Sequence, residues 1–306
     1  MKITVLGSAA GGGFPQWNCN CRNCSGLRSN TLRALPRTQS SIAVCGTAAT
    51  SWALVNASPD ILAQLKAHPV LQPARSPRDT AIAGIVLVDG QIDHTTGLFM
   101  LRESTRPLAV WCTAGVRADL TGGNPVFSVL GHYCGIEHRE LPIDGASFEV
   151  TGVEGIEWRA VPVASKPAPY SPHRAQPRAD DNVALVLRDR SSGRAAFYAP
   201  GLGTMEPQVW SEMQAAQVVL VDGTCWSDEE MIGMGLSAKR ARDMGHLPQS
   251  GPGGMLEWLA RLPERTRKIL IHVNNTNPIL HEDSPERATL TGAGIEVAYD
   301  GMEIEL

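Results

Sequence analysis

The sequence lacks any apolar run close to the roughly 20 residues that a helix needs to cross a bilayer. Its first residues, MKITVLGS, carry one lysine before an apolar segment that is too short for a signal peptide. Positive charge is not in excess either, since 27 Lys and Arg stand against 31 Asp and Glu for a net charge of −4. We therefore expect a cytoplasmic protein with no integral membrane segment and no nucleic-acid partner.

Nucleotide-binding motifs are also missing from the Gly-rich stretch GSAAGGG at residues 7–13. The stretch has neither the GxGxxG fingerprint nor the GK[ST] ending of a phosphate loop. It follows a predicted first strand at residues 2–6. We interpret it as a tight turn at which the backbone approaches a site or another strand.

The composition is that of a loop-rich globular protein, with 43% hydrophobic residues, 30 Gly and 21 Pro. At 306 residues the chain is long enough to bury a sizeable core, and we predict a single domain spanning residues 1–306. Short apolar runs that alternate with helical segments indicate an α/β protein. One such segment predicts a helix over Ile61–Ala67, with Ser58 as its N-cap.

Cysteine usage points to a metal site. The chain has seven cysteines, an odd number, and Cys19, Cys21 and Cys24 form a CxCxxC pattern within six positions. Thiolates at this spacing can converge on one tetrahedral ion, for which zinc is the usual choice. We predict a structural zinc loop over residues 14–36, with one ligand supplied from elsewhere. A redox dithiol or a merely buried cluster is the alternative, although no thioredoxin-like context surrounds the cysteines.

A second group of candidate ligands follows the apolar run Ile85–Val88, which has the composition of a strand buried on both faces. The residues after it are Asp89, Gln91, Asp93 and His94. A polar loop that caps a helix at Thr95 or Thr96 is the alternative interpretation. Three further candidates follow or precede other predicted elements: Asp222, His246 and His272.

The spacing from Asp89 to His94 resembles the HxHxDH signature of the metallo-β-lactamase superfamily, with Asp89 and Gln91 in place of its first two histidines. This resemblance implies an αββα sandwich. Family hydrolases would present a third histidine near Val163, where this chain has Ser165 and Lys166. They would also carry a bridging aspartate in the turn that here reads Gly-Leu-Gly at residues 201–203.

Four motifs narrow the resemblance within the superfamily: NCNCRNC, DGQIDHTTGL, MGHLPQSG and HVNNTNPIL. In this order they resemble the members that act in biosynthesis of the peptide-derived cofactor pyrroloquinoline quinone (PQQ). The resemblance implies a small peptide-derived PQQ precursor and other PQQ-pathway proteins as partners, and a homo-oligomer remains open. Related phosphodiesterases complete a CxCxxC zinc site with a histidine three residues after the last active-site histidine. This chain has Asn275 there, which makes Asn275 the candidate fourth ligand.

The surviving ligand set of Asp93, His94 and His272 matches the two-histidine, one-carboxylate triad of non-haem Fe(II) oxygenases. We therefore predict an iron-dependent hydroxylase that acts on the tyrosine-derived ring of a PQQ precursor. In this prediction Asp89 and Gln91 orient substrate or water, His246 shuttles protons, and Asp222 holds a ligand histidine by its other nitrogen.

Two other functions remain as alternatives. The chain could be a carrier that takes PQQ or its precursor towards transport to the periplasm, or a vestigial hydrolase that uses zinc or manganese. A Pro-rich segment follows Val163 and contains Tyr170, His173 and Arg174. We interpret these residues as a lid over substrate, with a solvated loop as the alternative.

Overall fold

The computed structural model describes residues 1–46 and 50–306. In these residues the backbone forms two seven-stranded sheets. The strands are, in chain order, β1 (Lys2–Gly7), β2 (Ser41–Cys45), β3 (Trp52–Val55), β4 (Ile82–Val86), β5 (Leu108–Cys112), β6 (Ile136–Glu140), β7 (Ser147–Phe148), β8 (Ile156–Pro162), β9 (Val183–Asp189), β10 (Ala195–Ala199), β11 (Val218–Asp222), β12 (Arg267–Ile271), β13 (Ile295–Val297) and β14 (Glu303–Glu305).

The first sheet has the order β14-β1-β2-β3-β4-β5-β6 and the second the order β13-β12-β11-β10-β9-β8-β7. In the first sheet β3 to β6 run parallel to one another, and in the second β10 to β13 do. The carboxyl ends of parallel strands meet at one edge of a sheet, where α/β proteins commonly place their sites. The ends of β4, β11 and β12 are therefore the positions to examine for function.

Short helices connect the strands and cover the outer faces of both sheets. They are α1 (Arg22–Arg28), α2 (Ile61–Ala67), α3 (Ile92–Thr95), α4 (Ala114–Thr121), α5 (Val126–Leu130), α6 (Pro207–Ala215), α7 (Glu230–Gly233), α8 (Ala241–Met244), α9 (Met255–Ala260) and α10 (Pro285–Gly292). Three 3-10 turns add to them at Pro69–Leu71, Thr96–Leu101 and Pro278–Leu280. No helix in the described residues has the length and hydropathy of a membrane span.

Three clusters of buried apolar side chains define the layers. The first lies between the sheets and combines residues of both, such as Val44 and Leu185. The second joins the outer face of the second sheet to helices α6 and α9, and the third joins the first sheet to α2 and α4. Burial of this apolar surface is the main favourable contribution to folding. The predicted αββα sandwich is confirmed.

Local predictions hold with small corrections. The helix over Ile61–Ala67 has the predicted bounds, but its N-cap is Asp60 and not Ser58. The Ser58 carbonyl accepts the N–H of Ile61 at 3.0 Å and its hydroxyl accepts the N–H of Asp60 at 3.2 Å, so Ser58 forms a turn before the helix. The predicted strand at residues 85–88 overlaps β4, which starts at Ile82 and ends at Val86, so Leu87 and Val88 lie beyond its end.

The segment predicted as a zinc loop contains helix α1, so it has more regular structure than expected. The predicted small-residue turn between β2 and β3 includes residues 47–49, which lie outside the described residues.

Candidate metal centres

The backbone after β4 is held in place by close packing against the loop after β3. The carbonyl of His94 accepts the N–H of Ala57 at 2.7 Å, and Gly97 donates to the Ala57 carbonyl at 2.9 Å. A Cβ on Gly97 would lie 2.2 Å from the Ser58 carbonyl oxygen, so only glycine permits this approach. Because of this packing, α3 presents Asp93 and His94 in fixed positions.

Ligand atoms of Asp93, His94 and His272 all lie within 4.8 Å of one another. Asp93 and His272 are separated by 179 positions in sequence, yet Asp93 Oδ2 lies 3.2 Å from His272 Nε2. The same oxygen lies 3.9 Å from His94 Nε2. The structure therefore brings together the three residues that the sequence proposed as one ligand set.

Both histidines of this set are anchored through Nδ1. His94 Nδ1 donates to Asp89, whose carboxylate oxygens lie 2.8 and 2.9 Å away. His272 Nδ1 lies 2.9 Å from the Thr224 hydroxyl, which in turn donates to the His272 carbonyl at 3.1 Å. An imidazole that donates from Nδ1 keeps its Nε2 lone pair free for a metal. In keeping with this, His94 Nε2 is buried and has no hydrogen-bond partner.

The charges around these atoms favour a cation. Burial alone would lower the pKa of His94, but Asp89 and Asp93 outweigh it and raise the pKa to about 9. Burial would raise the pKa of Asp93, but the His94 and His272 imidazoles hold it well below its usual range. Asp89 on the Nδ1 side of His94 and Asp93 near its orphaned Nε2 thus stabilise positive charge where a divalent ion would bind. The residues present fit such an ion.

His272 adopts an unusual backbone conformation, with φ at +62°. A histidine in the left-handed region costs free energy, and residues of this kind concentrate at functional sites. Here the conformation follows the end of β12 and turns the imidazole towards Asp93.

His246 and Asp222 form a second pair beside the first group. His246 Nδ1 lies 2.7 Å from Asp222 Oδ2, and its ring stacks on His272 with centroids 5.4 Å apart. Asp222 also accepts the N–H of Leu202 and that of Thr224, both at 2.9 Å. Asp222 therefore holds His246, not His94 or His272 as the sequence suggested. Ligand atoms of Asp222, His246 and His272 also lie within 4.8 Å of one another, which makes them a second possible ligand group that shares His272 with the first.

The Asp222 carboxylate changes the ionisation of its partner. Burial lowers the pKa of His246, but the nearby Asp222 more than compensates and the pKa is raised above its ordinary value. A raised pKa increases the protonated fraction of His246 at a given pH, and Nε2 is the ring nitrogen that Asp222 does not engage. This arrangement supports the predicted role of His246 in proton transfer.

Gln91 and Asp89, which the sequence paired in one role, have different surroundings. Gln91 Nε2 donates to the Lys166 carbonyl at 3.1 Å, so the amide fastens the loop after β8 to the end of β4. The Asp89 carboxylate contacts His94 and accepts the N–H of Gln91 at 2.9 Å. Both residues line the cavity. Asp89 orients the candidate ligand His94, whereas Gln91 holds the loop after β8.

A cavity of about 220 Å³ opens directly onto the ligand atoms. Its wall includes Gly11, where an added Cβ would lie 3.3 Å from Asp93 Oδ2. The Gly-rich turn after β1 therefore approaches the site closely, as the sequence predicted. Tyr170 of the Pro-rich loop donates its hydroxyl to the Gly90 carbonyl at the other side. The Pro-rich loop contributes Ser165, Arg174 and Asn182 to the cavity wall, while its residues 175–179 are exposed.

The three cysteines form a separate cluster, with their sulfur atoms within 4.8 Å of one another. Asn275 Nδ2 lies 3.1 Å from Cys19, 3.7 Å from Cys21 and 3.4 Å from Cys24. Burial raises the pKa of the Cys21 thiol to about 11. A bound zinc ion would instead hold the thiolates ionised, and this set of three sulfurs fits it.

Asn275 occupies the remaining face of the sulfur cluster, where the sequence placed the fourth ligand. Rotating the amide by half a turn would direct its oxygen at the ion. Asn23, inside the cysteine motif, donates to the carbonyls of Asn275 and Asn277 at 3.1 and 2.9 Å and so fixes this loop. The roles of Asn275 and of the cysteines as ligands stay predictions.

Sequence reasoning missed Thr224, whose hydroxyl contacts the Nδ1 atoms of both His246 and His272. The only available signal was its position two residues after Asp222, at the end of a buried strand. Arg174 was noticed as part of a lid, but nothing in the sequence showed that it lines the cavity together with Asn182.

The two sheets and the ligand positions at their edges define a member of the beta-lactamase superfamily. A family model described as a beta-lactamase superfamily domain matches residues 51–273. The fold of a diphosphatase from the PhnP family is similar, with a TM-score of 0.68 and 17% identity over 100% of this chain and 96% of that one.

Within the superfamily, the chain belongs to the coenzyme PQQ synthesis protein B family. It is 64% identical to the family member from Azoarcus sp. strain BH72 over 100% of both chains. Identity to the member from Cupriavidus necator is 60%, over 100% of this chain and 99% of that one. The crystal structure of Zn²⁺-bound PqqB from Methylobacterium extorquens superposes with a TM-score of 0.92 at 34% identity and covers both chains fully.

Proposed function

We propose that this protein acts in PQQ synthesis as an iron-dependent hydroxylase of the tyrosine-derived ring of a PQQ precursor. The observation that carries the proposal is the ligand group of Asp93, His94 and His272, which faces an open cavity. Two imidazoles and one carboxylate are the ligands of the non-haem Fe(II) oxygenases, and they leave coordination positions for other molecules. A ferrous ion held there would supply activation of dioxygen.

The chain's own residues would prepare this reaction in distinct ways. Asp89 and Thr224 fix the ring planes of His94 and His272 through Nδ1. His246, held by Asp222, would carry a proton at Nε2 on the cavity side. Gln91 would keep the loop after β8 close to the ligands and so limit the entry of water.

Hydrolysis by two metal ions has weaker support. Such sites hold two ions about 4 Å apart, with ligands for both. Here the side chain at the second signature position is a neutral amide already engaged with Lys166, and the turn at residues 201–203 has no carboxylate. Asp222, His246 and His272 form a second possible ligand group, but they share His272 with the first group and both Asp222 oxygens already accept backbone N–H groups.

The test is oxygen uptake by anaerobically iron-loaded protein with a Glu-Tyr-derived precursor and ascorbate as reductant. We expect uptake to match formation of a product that has gained one oxygen atom. The variants His94→Ala and His272→Ala should abolish both signals, while His132→Gln, an exposed histidine, should retain them. Full turnover by the two ligand variants would contradict the proposal.

The carrier function stays a prediction, and the same preparation separates it from the hydroxylase. A carrier would bind PQQ or its precursor tightly, return it unchanged and remain indifferent to removal of metal with a chelator. The hydroxylase should lose all activity on chelation and recover it when Fe(II) is added back.

A further inference from the structure

Two hydrogen-bond donors on the cavity wall have no partner in the protein. Arg174 and Asn182 both line the cavity, and both belong to the segment that connects β8 to β9. Arg174 Nη1 and Asn182 Nδ2 are buried and make no hydrogen bond. Buried donors of this kind are rare because each leaves its desolvation uncompensated. Two of them on one cavity indicate a ligand that supplies acceptor oxygens.

The charge of Arg174 is also unpaired. Among the cavity-lining residues in the described part of the chain, Arg174 is the sole Arg or Lys. The acidic residues of the wall, Asp89 and Asp93, are already engaged with His94 and His272. The guanidinium is also partly stripped of water, and burial lowers the pKa of Arg174. A guanidinium in this position gains most from an anionic ligand.

The backbone that carries Arg174 is immobilised by its neighbours. Ser171 donates its hydroxyl to Asp119 of α4 at 2.9 Å, and its carbonyl accepts the N–H of Arg174 at 3.1 Å. His173 Nε2 contacts Asp181 at 2.5 Å. Since these contacts fix the loop before any ligand arrives, less conformational entropy is lost when the ligand binds.

We propose that Arg174, assisted by Asn182, binds a carboxylate of the substrate and makes this cavity selective for amino-acid-derived anions. The inference rests on the proposed function, because it names the part of the precursor that the protein grips. A planar guanidinium with one amide donor matches the two coplanar oxygens and single charge of a carboxylate. A phosphate dianion would favour a second guanidinium or ammonium group, and the described cavity wall has neither.

The test compares the dipeptide L-glutamyl-L-tyrosine with its diamide, L-glutaminyl-L-tyrosinamide. Binding is measured by calorimetry to the full-length zinc-loaded protein, in which no oxidation occurs. The wild type should bind the diacid roughly 10- to 100-fold more tightly than the diamide, the range expected for a charged hydrogen-bonded contact. Arg174→Gln should abolish this difference and Arg174→Lys should keep part of it.

Two further variants make the assignment specific. Asn182→Asp has the same shape but places a negative oxygen on the wall, so it should weaken diacid binding and leave diamide binding unchanged. Arg178→Gln, an exposed arginine on the same loop, is the matched control and should behave as wild type. Circular dichroism of each variant verifies its fold.

The proposal is overturned if Arg174→Gln binds the diacid within twofold of wild type, or if the wild type shows no preference for the diacid or does not bind it. Failure of the hydroxylase proposal looks different. An iron-loaded wild type without oxygen uptake, but with diacid binding that depends on Arg174, would contradict the hydroxylase and leave the carboxylate site intact. Turnover by Arg174→Gln with an unchanged KM would contradict the carboxylate site and leave the hydroxylase proposal intact.

Discussion

At the residue scale, the site depends on which acceptor faces the Nδ1 atom of each histidine. Asp89 occupies that position for His94, Thr224 for His272, and Asp222 for His246. The Asp89 and Asp222 carboxylates raise the pKa of His94 and of His246, whereas the Thr224 hydroxyl brings no charge to His272. Each acceptor holds its imidazole through Nδ1 and leaves Nε2 for an ion or a proton.

Replacing Asp89 by Asn tests the support of a ligand. The amide oxygen can still accept from His94 Nδ1, but the negative charge that makes the imidazole a stronger ligand is lost. We expect affinity for the active-site ion to fall roughly 10- to 100-fold, measured by competition with a chelator. Gln91→Leu, which removes a contact to Lys166 only, should leave the affinity unchanged. Equal losses in the two variants would refute the separate roles of these neighbours.

Replacing Asp222 by Asn tests the proton-carrying role of His246. Asp222 is the chief cause of the raised pKa of His246, so its removal should lower that pKa. If the reaction needs protonated His246, the alkaline limb of the kcat profile should move to lower pH. Iron content should stay at the wild-type level. Asp144→Asn, at an exposed acid, is the control. An unmoved alkaline limb would assign the proton to another group.

At the element scale, the loop after β12 links the two candidate metal centres. It begins at His272, directs Asn275 at the three sulfurs, and continues to Thr276, which contacts the buried carboxyl of Glu230 on α7. The Glu230 carboxyl also accepts the N–H of Trp226 at 2.6 Å. A change in the charge of Glu230 therefore acts on the same loop that positions both centres.

Glu230→Gln tests this element through the pH dependence of stability. Burial raises the pKa of Glu230 to about 7, above its value in the unfolded chain. The folded state thus prefers the protonated acid, so the stabilisation is full below about pH 4 and is lost as pH rises through 7. Glutamine mimics the protonated form. The variant should lack the part of the decline in unfolding free energy that wild type shows between pH 5 and 8, measured by urea titration.

The elements themselves could be predicted well from the sequence, and their contacts could not. Apolar runs that end in polar residues placed Asp93, His94 and His272 at strand ends, because the strand signal is local. The Nδ1 acceptors escaped prediction because they depend on pairing across the fold. Thr224 and His272 are 48 positions apart, and a threonine has no metal-ligand signature. For the same reason sequence analysis assigned Asp89 and Gln91 one common role.

At the scale of the whole molecule, the two sheets bring distant segments to one cavity. The first sheet supplies Asp93 and His94 after β4, and the second supplies His272 after β12. Resemblance to the superfamily predicted this architecture. The replaced residues of its HxHxDH signature predicted that the active site holds one metal ion and not two. The position of Arg174 on the cavity wall could be found only from the folded structure, because an arginine in a Pro-rich loop is ordinarily solvated.

The number of metal ions per chain tests the central claim most directly. Elemental analysis of anaerobically purified, iron- and zinc-loaded protein should give two ions, one at the cysteines and one at the Asp93 group. His272→Ala should lose the iron alone and Cys24→Ser the zinc alone. Three ions per chain in the wild type, with two of them lost in His272→Ala, would contradict an active site with a single metal ion. That result would favour a two-metal hydrolase.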